Sequence, residues 1–184
     1  TATVDRIDYS SDTSNASPKG PLSVARKQLA ATGNSNFGYF GGGNPTTSTV
    51  DRIDYSNDTP NASPKGPLSV ARKQLAATGN SNFGYFGGGG GYPVKSTVDR
   101  IDYSNDTATA SVKGPLSSAR YRLAATGNSN FGYFGGGGDY PGPVSTVDRI
   151  DYSSDTSDAS PKGSLSSARY NLAGVSAAAN GLPQ

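Results

Sequence analysis

Two phrases recur along the chain at nearly constant spacing, and that regularity excludes most folds at the outset. The motif V-D-R-I-D-Y begins at Val4, Val50, Val98 and Val147, so successive copies stand 46, 48 and 49 residues apart. F-G-Y-F begins at Phe37, Phe83 and Phe131, always 33 residues after the preceding motif (4 to 37, 50 to 83, 98 to 131). A period of this length belongs to a propeller blade or a solenoid coil, whose units are too small to bury a core alone and share one with their neighbours. All variation in length lies between the Gly run and the next S-T-V, where the chain reads N-P-T-T, then G-G-Y-P-V-K, then G-D-Y-P-G-P-V. Tolerance of insertions there marks a surface loop.

Composition selects strand over helix. All 14 acidic residues are Asp, so Glu, one of the best helix formers, is missing, while Val, Ile, Thr, Tyr and Phe fill the periodic segments. Gly, Pro, Asn, Asp and Ser stand between those segments, as turns require. Four strands per unit follow: one in R-K-Q-L-A-A-T, a second in F-G-Y-F-G-G, a third in S-T-V-D-R-I-D-Y-S, and a weaker edge strand around A-S-P-K-G-P-L-S. T-G-N-S-N supplies the first turn, with Gly and Asn at positions that tolerate positive φ. Asn and Asp side chains close the turn in S-N-D-T-P-N-A-S. An antiparallel meander of four such strands is a propeller blade. The expectation is a single all-β repeat domain over residues 1–184, with units at about 1–27, 28–73, 74–121 and 122–170. A closing segment at 171–184 is expected to pair beside the N-terminal strands. Either the four blades close into a ring, or the chain forms part of a larger ring or array. The F-G-Y-F and V-D-R-I-D segments are its expected buried strands.

The order G-Y-F-G-G-G, S-T-V-D-R-I-D-Y-S-N-D-T, G-P-L-S-V-A-R resembles the kelch repeat. That pattern has an apolar strand ending in a Gly pair, a V-E-R-Y-D-like strand, and a later Leu-Pro and Arg segment. The likeness spans all four units and implies a kelch-like propeller. Ile7, Ile53, Ile101 and Ile150 stand in the place of the family's Tyr, the blade-packing Trp is absent, and the Gly pair has become a run of three to five. The near-identical wording of the units is also similar to tandem-repeat structural proteins encoded by marine cyanobacterial viruses. That similarity implies a virion or extracellular location.

Charge and composition narrow the function. The 16 basic and 14 acidic residues are spread evenly, with no basic stripe for nucleic acid. No apolar run of about 18 residues and no leader pattern is present, so a soluble chain without membrane insertion is expected. With no His, Cys or Glu, and with the same Asp, Arg and Tyr in every unit, the chain offers equivalent sites rather than one catalytic constellation. No enzyme and no cofactor is the expectation. Asp5, Asp8 and Asp12, like Asp51, Asp54 and Asp58, lack the loop that converges oxygens on a cation. On an extended strand Asp5 and Asp8 face opposite ways, so pairing with Arg6, Arg26 and their equivalents is expected and no metal site. The Gly run lacks the Lys and helix of a phosphate loop. Tyr9, Tyr55, Tyr103 and Tyr152 read as packing residues.

What remains is a structural or binding protein. The loops at 43–48, 89–95 and 137–144 are expected to form one exposed rim. Tyr92 and Pro93 with Lys95, and Asp139 with Tyr140 and Pro141, are the candidate binding residues, because exposed aromatics beside stiffening Pro suit recognition. The expected partners are other copies of the chain, other structural proteins, or a cell-surface glycan.

Overall fold

The computed structural model describes residues 1–11, 13–139 and 141–175, and among these there is no α-helix. Asp12, Tyr140 and most of the expected closing segment lie outside the described residues. Strands β1 (Val4–Arg6) and β2 (Ser17–Lys19) form a two-stranded half-sheet. Next come β3 (Ala30–Gly33), β4 (Phe37–Gly41), β5 (Val50–Asp54) and β6 (Ser63–Lys65), hydrogen-bonded in that order. A second four-stranded sheet contains β7 (Ala76–Gly79), β8 (Phe83–Gly87), β9 (Val98–Asp102) and β10 (Ser111–Lys113). The third contains β11 (Ala124–Gly127) and β12 (Phe131–Gly135); after a small hairpin of β13 (Gly138–Asp139) and β14 (Gly142–Pro143) it continues with β15 (Val147–Asp151) and β16 (Ser160–Lys162). Each full sheet is an antiparallel meander, the arrangement of a propeller blade.

Register is the same in every blade. Tyr39 faces Arg52 and Phe40 faces Asp51, as Tyr85 faces Arg100 and Phe86 faces Asp99. The expected first strand is shorter than R-K-Q-L-A-A-T, because only A-A-T-G is paired with the F-G-Y-F strand. The turn between them also closes differently from expectation. Asn34 Oδ1 accepts from the amides of Asn36 and Phe37, so an Asn side chain makes the turn, not left-handed residues.

Period-2 alternation gives the first two four-stranded blades two buried faces. The forward face of one blade, with Tyr39 and Val50, packs on the rear face of the next, with Phe86, Ile101 and Tyr103. Tyr85 and Val98 meet Phe134, Ile150 and Tyr152 in the same way. The core therefore lies between sheets. Tyr39 stacks on Tyr103 and Tyr85 on Tyr152, each with centroids 4.7 Å apart. A Cβ on Gly41 would come within 2.6 Å of the Phe86 ring, so glycine is what lets these sheets approach.

Polar rungs repeat beside the apolar layers. Arg52 Nη1 lies 2.7 Å from Asp106 Oδ2, Lys65 approaches the other oxygen, and the Tyr39 hydroxyl donates to the same carboxylate. Arg100, Lys113 and Tyr85 treat Asp155 likewise. Within each blade the linker arginine is buried against the third strand: Arg26 on Asp51, Arg72 on Asp99, Arg120 on Asp148. The expected Asp–Arg pairing is present, while Asp54 instead closes a turn by accepting from the Ser56 amide and hydroxyl.

The ends of the row depart from expectation. Ile7 is 60% exposed and Tyr9 is 91% exposed, whereas Ile101 and Tyr103 are buried. The first V-D-R-I-D segment is thus not a buried strand, and neither Tyr9 nor the half-exposed Tyr55 has the packing role seen in Tyr103 and Tyr152. Among the described residues neither is covered by an F-G-Y-F strand of a preceding blade, as Tyr103 and Tyr152 are by Tyr39 and Tyr85. Residues 171–175 do not pair beside β1. Instead Gly174 packs against Ala125 at the edge of the third blade. Among the described residues the blades form an open row, not a closed ring.

Candidate functional site

Besides scattered changes such as Pro60 to Ala108, Pro64 to Val112 and Val70 to Ser118, the units differ at two places that the fold brings together. One is the loop after the Gly run. The other is the residue pair before the first strand: Lys27-Gln28, Lys73-Gln74, Tyr121-Arg122 and Tyr170-Asn171. Gln28, Gln74, Arg122 and Asn171 all adopt left-handed backbone, with φ between 54° and 60°. Such a conformation is strained for a side-chain-bearing residue and persists where surrounding bonds enforce it. Here the Gln74 amide donates to Gln28 O at 2.8 Å, Arg122 to Gln74 O at 2.8 Å, and Asn171 to Arg122 O at 3.0 Å. A backbone ladder thus runs across all the blades along their inner strands.

Hollows open on this ladder. One, of about 350 Å³, is lined by Gln28, Gln74, Arg122 and Asn171 with Leu29 and Leu75 among its walls. A neighbouring one of about 340 Å³ lies between Lys73, Tyr121, Tyr170, Val94, Asp139 and Pro141. Tyr121 and Tyr170 stand with centroids 5.7 Å apart, and the Arg122 guanidinium lies 5.3 Å and 5.8 Å from their rings. Two aromatic faces, a cation and amide side chains share one groove. That is a donor-rich aromatic surface of the kind that receives polar ligands.

The second and third loops frame the groove, and all three loops are tied down in the same way. Each begins against the linker that precedes its own blade: Asn44 exchanges backbone hydrogen bonds with Lys27, Gly90 with Lys73, and Gly138 with Tyr121. Each ends by accepting from the next linker's arginine amide, Arg72 on Thr47, Arg120 on Lys95 and Arg169 on Val144. The glycines that open the loops are buried, so the rim is made by the tips alone, not by the whole of 43–48, 89–95 and 137–144. Tyr92 projects fully into solvent and Pro93 beside it is exposed. Lys95 has a structural part, since its amide donates to Gly89 O and its carbonyl holds Arg120. Asp139 and Pro141 line the groove, and Tyr140 lies outside the described residues. Sequence reading missed Tyr121, Arg122, Tyr170 and Asn171. Their signal was the change from Lys-Gln to Tyr-Arg and Tyr-Asn at corresponding positions of the repeat.

These features define a tandem-repeat, β-rich protein built of propeller-type blades. The solved structure of YjhT is similar: it superposes with a TM-score of 0.67 at 13% identity, over 81% of this chain and 53% of that one. The likeness shows the fold, and the chain spans about half the length of that structure. No family model matches the chain, and no curated protein does.

Proposed function

We propose that the protein is a non-enzymatic, kelch-like repeat scaffold of a virion or extracellular assembly, whose inner groove and loop tips bind a partner. The observation that supports this reading is the coincidence of difference and place. Blades that keep the same core and ion-pair residues diverge at Tyr121, Tyr170 and the second and third loops, which line one groove, with Arg122 against both rings. Stability needs the shared residues; recognition needs the distinct ones. Asp106 and Asp155 are engaged in ion pairs, and Asp54 and Asp102 in turns, that repeat from blade to blade. Similarity of the unit wording to repeat proteins of marine cyanobacterial viruses supports the location.

A glycan is the ligand class best matched to paired tyrosine rings, an arginine and amide groups, because sugar rings stack on aromatic faces and offer hydroxyls to planar donors. Binding to a glycan array, compared between the wild-type protein and the Tyr170→Ala and Tyr92→Ala variants, checks this. Selective binding that falls at least tenfold in Tyr170→Ala with an unchanged melting temperature is expected. An array without any selective signal, or binding indifferent to both substitutions, overturns the glycan reading.

A further inference from the structure

Each internal core is built from the forward face of one sheet and the rear face of the next, and the two ends of the row carry the two halves of one more such core. The forward half lies on the third blade. There Val147 and Leu165 are only partly buried, whereas Val98 and Leu116 in the preceding blade are 0% and 3% exposed. Its Gly163 meets nothing within 4 Å of an added Cβ, although a Cβ on Gly20, Gly66 or Gly114 would collide with the backbone of the following unit. Arg149 stacks on Phe131 as Arg52 and Arg100 stack on Phe37 and Phe83, but the latter two go on to an Asp of the next blade. Lys162 is exposed where Lys65 and Lys113 are paired. Arg169, the counterpart of buried Arg26, Arg72 and Arg120, is exposed as well.

The rear half lies on the half-sheet. Asp5 is exposed, whereas its counterparts Asp51, Asp99 and Asp148 are fully buried against linker arginines. Ile7 and Tyr9 are exposed where Ile101 and Tyr103 are covered, and Ala16 is exposed where Ala62, Ala110 and Ala159 are buried. Groups left open on the third blade have counterparts open on the half-sheet: Arg169 with Asp5, Tyr133 with Tyr9, Gly163 and Leu165 with residues 13–16 after β1. The two surfaces are complementary in charge and shape because the chain already joins such surfaces three times within itself.

We propose that copies of this chain associate head to tail, the half-sheet of one seated on the third blade of another, with Asp5 accepting from Arg169 of the neighbouring copy. This rests on the reading of the protein as an assembly component, not on its glycan site. Because the joined surfaces differ, the contact is heterologous and generates a ring or an open helical filament according to the rotation per copy. Among the described residues the half-sheet brings no counterpart of Phe86, so the junction is smaller than the internal ones and assembly is concentration-dependent. The other occupant of these surfaces would be further units of a longer chain.

Charge exchange across the junction tests the proposal, read by sedimentation velocity over a range of protein concentration. Wild-type protein is expected to form species larger than one copy. Asp5→Arg alone and Arg169→Asp alone are each expected to raise the dissociation constant at least tenfold, since each then faces a like charge. An equimolar mixture of the two variants restores opposite charges at every junction and recovers assembly. Both positions are exposed, so each variant keeps the melting temperature of the wild-type single copy. The proposal is overturned if wild-type protein remains a single copy at all concentrations, as it would if further units covered these surfaces. It is also overturned if the variants assemble as the wild type does, or if mixing them restores nothing. Glycan binding by single copies is independent of all these outcomes.

Discussion

Arg72, in the linker before β7, is fully buried against Asp99 of β9, with Nη2 2.8 Å from Oδ2. The same guanidinium group donates to Phe86 O, and the Ser69 hydroxyl and amide donate to the Asp99 carboxylate. Burial pulls the Arg72 guanidinium below its ordinary value, and the Asp99 charge opposes that pull. The pair clamps the linker to the blade it introduces.

Arg72→Ala leaves the fully buried Asp99 carboxylate with only the Ser69 donors. Removing one member of a buried pair costs roughly 3–5 kcal/mol. Arg169→Ala removes the corresponding exposed arginine and is expected to change stability by less than about 0.5 kcal/mol in a single copy. Urea-unfolding midpoints at low protein concentration compare the two.

Gly66 and Gly163 occupy the same place in the repeat but meet different surroundings. A methyl group on Gly66 would be driven into the Ala108 carbonyl, while one on Gly163 would find open space. Gly66→Ala is therefore expected to destabilise by about 1–3 kcal/mol through overpacking. Gly163→Ala is expected to leave the melting temperature of a single copy unchanged. Calorimetry on both variants reads the contrast.

The Tyr85 hydroxyl donates to Asp155 at 2.8 Å from a fully buried ring. Tyr85→Phe keeps the stack on Tyr152 but loses a hydrogen bond to a charged acceptor, worth about 1.5 kcal/mol. Tyr92→Ala removes a ring that touches only solvent and should not move the melting temperature. Parallel thermal melts check both expectations.

Acid and base should weaken the fold for different reasons. The Ser104 hydroxyl and amide hold the Asp102 carboxyl below its ordinary 3.8, and Ser56 does the same for Asp54. A depressed folded-state value adds stability that is complete above pH 3.8 and is lost as pH falls through the lowered value. Burial pushes the Tyr152 phenol up from 10.0 to about 12, the Thr78 hydroxyl bond acting the other way. Its contribution is complete below pH 10 and is lost as pH rises through about 12, because the unfolded chain ionises first. Melting temperature against pH should form a plateau falling at both limits, and Ser104→Ala should flatten the acid limb.

The period, the strands and the variable loops were legible in the sequence because each rests on local chemistry. Alternating β-branched and aromatic residues specify strands such as Val98–Asp102, and Gly, Asn and Pro specify the turns between them. The register of the Arg–Asp pairs was not legible. Asp51, Asp54 and Asp58 sit within one motif, yet they take a linker arginine, a serine turn and the preceding half-sheet's Arg6 and Lys19 as partners. Only the stacking of one sheet on the next assigns them. The left-handed backbone of Gln28, Gln74 and Arg122 had no local signal either, since inter-blade hydrogen bonds impose it on residues that favour other conformations. Ile7 and Ile53 stand in the same V-D-R-I-D-Y-S phrase, yet one is 60% exposed and the other 7%. The phrase determines a strand; whether that strand is buried depends on the neighbouring blade, and that is a property of the tertiary structure alone.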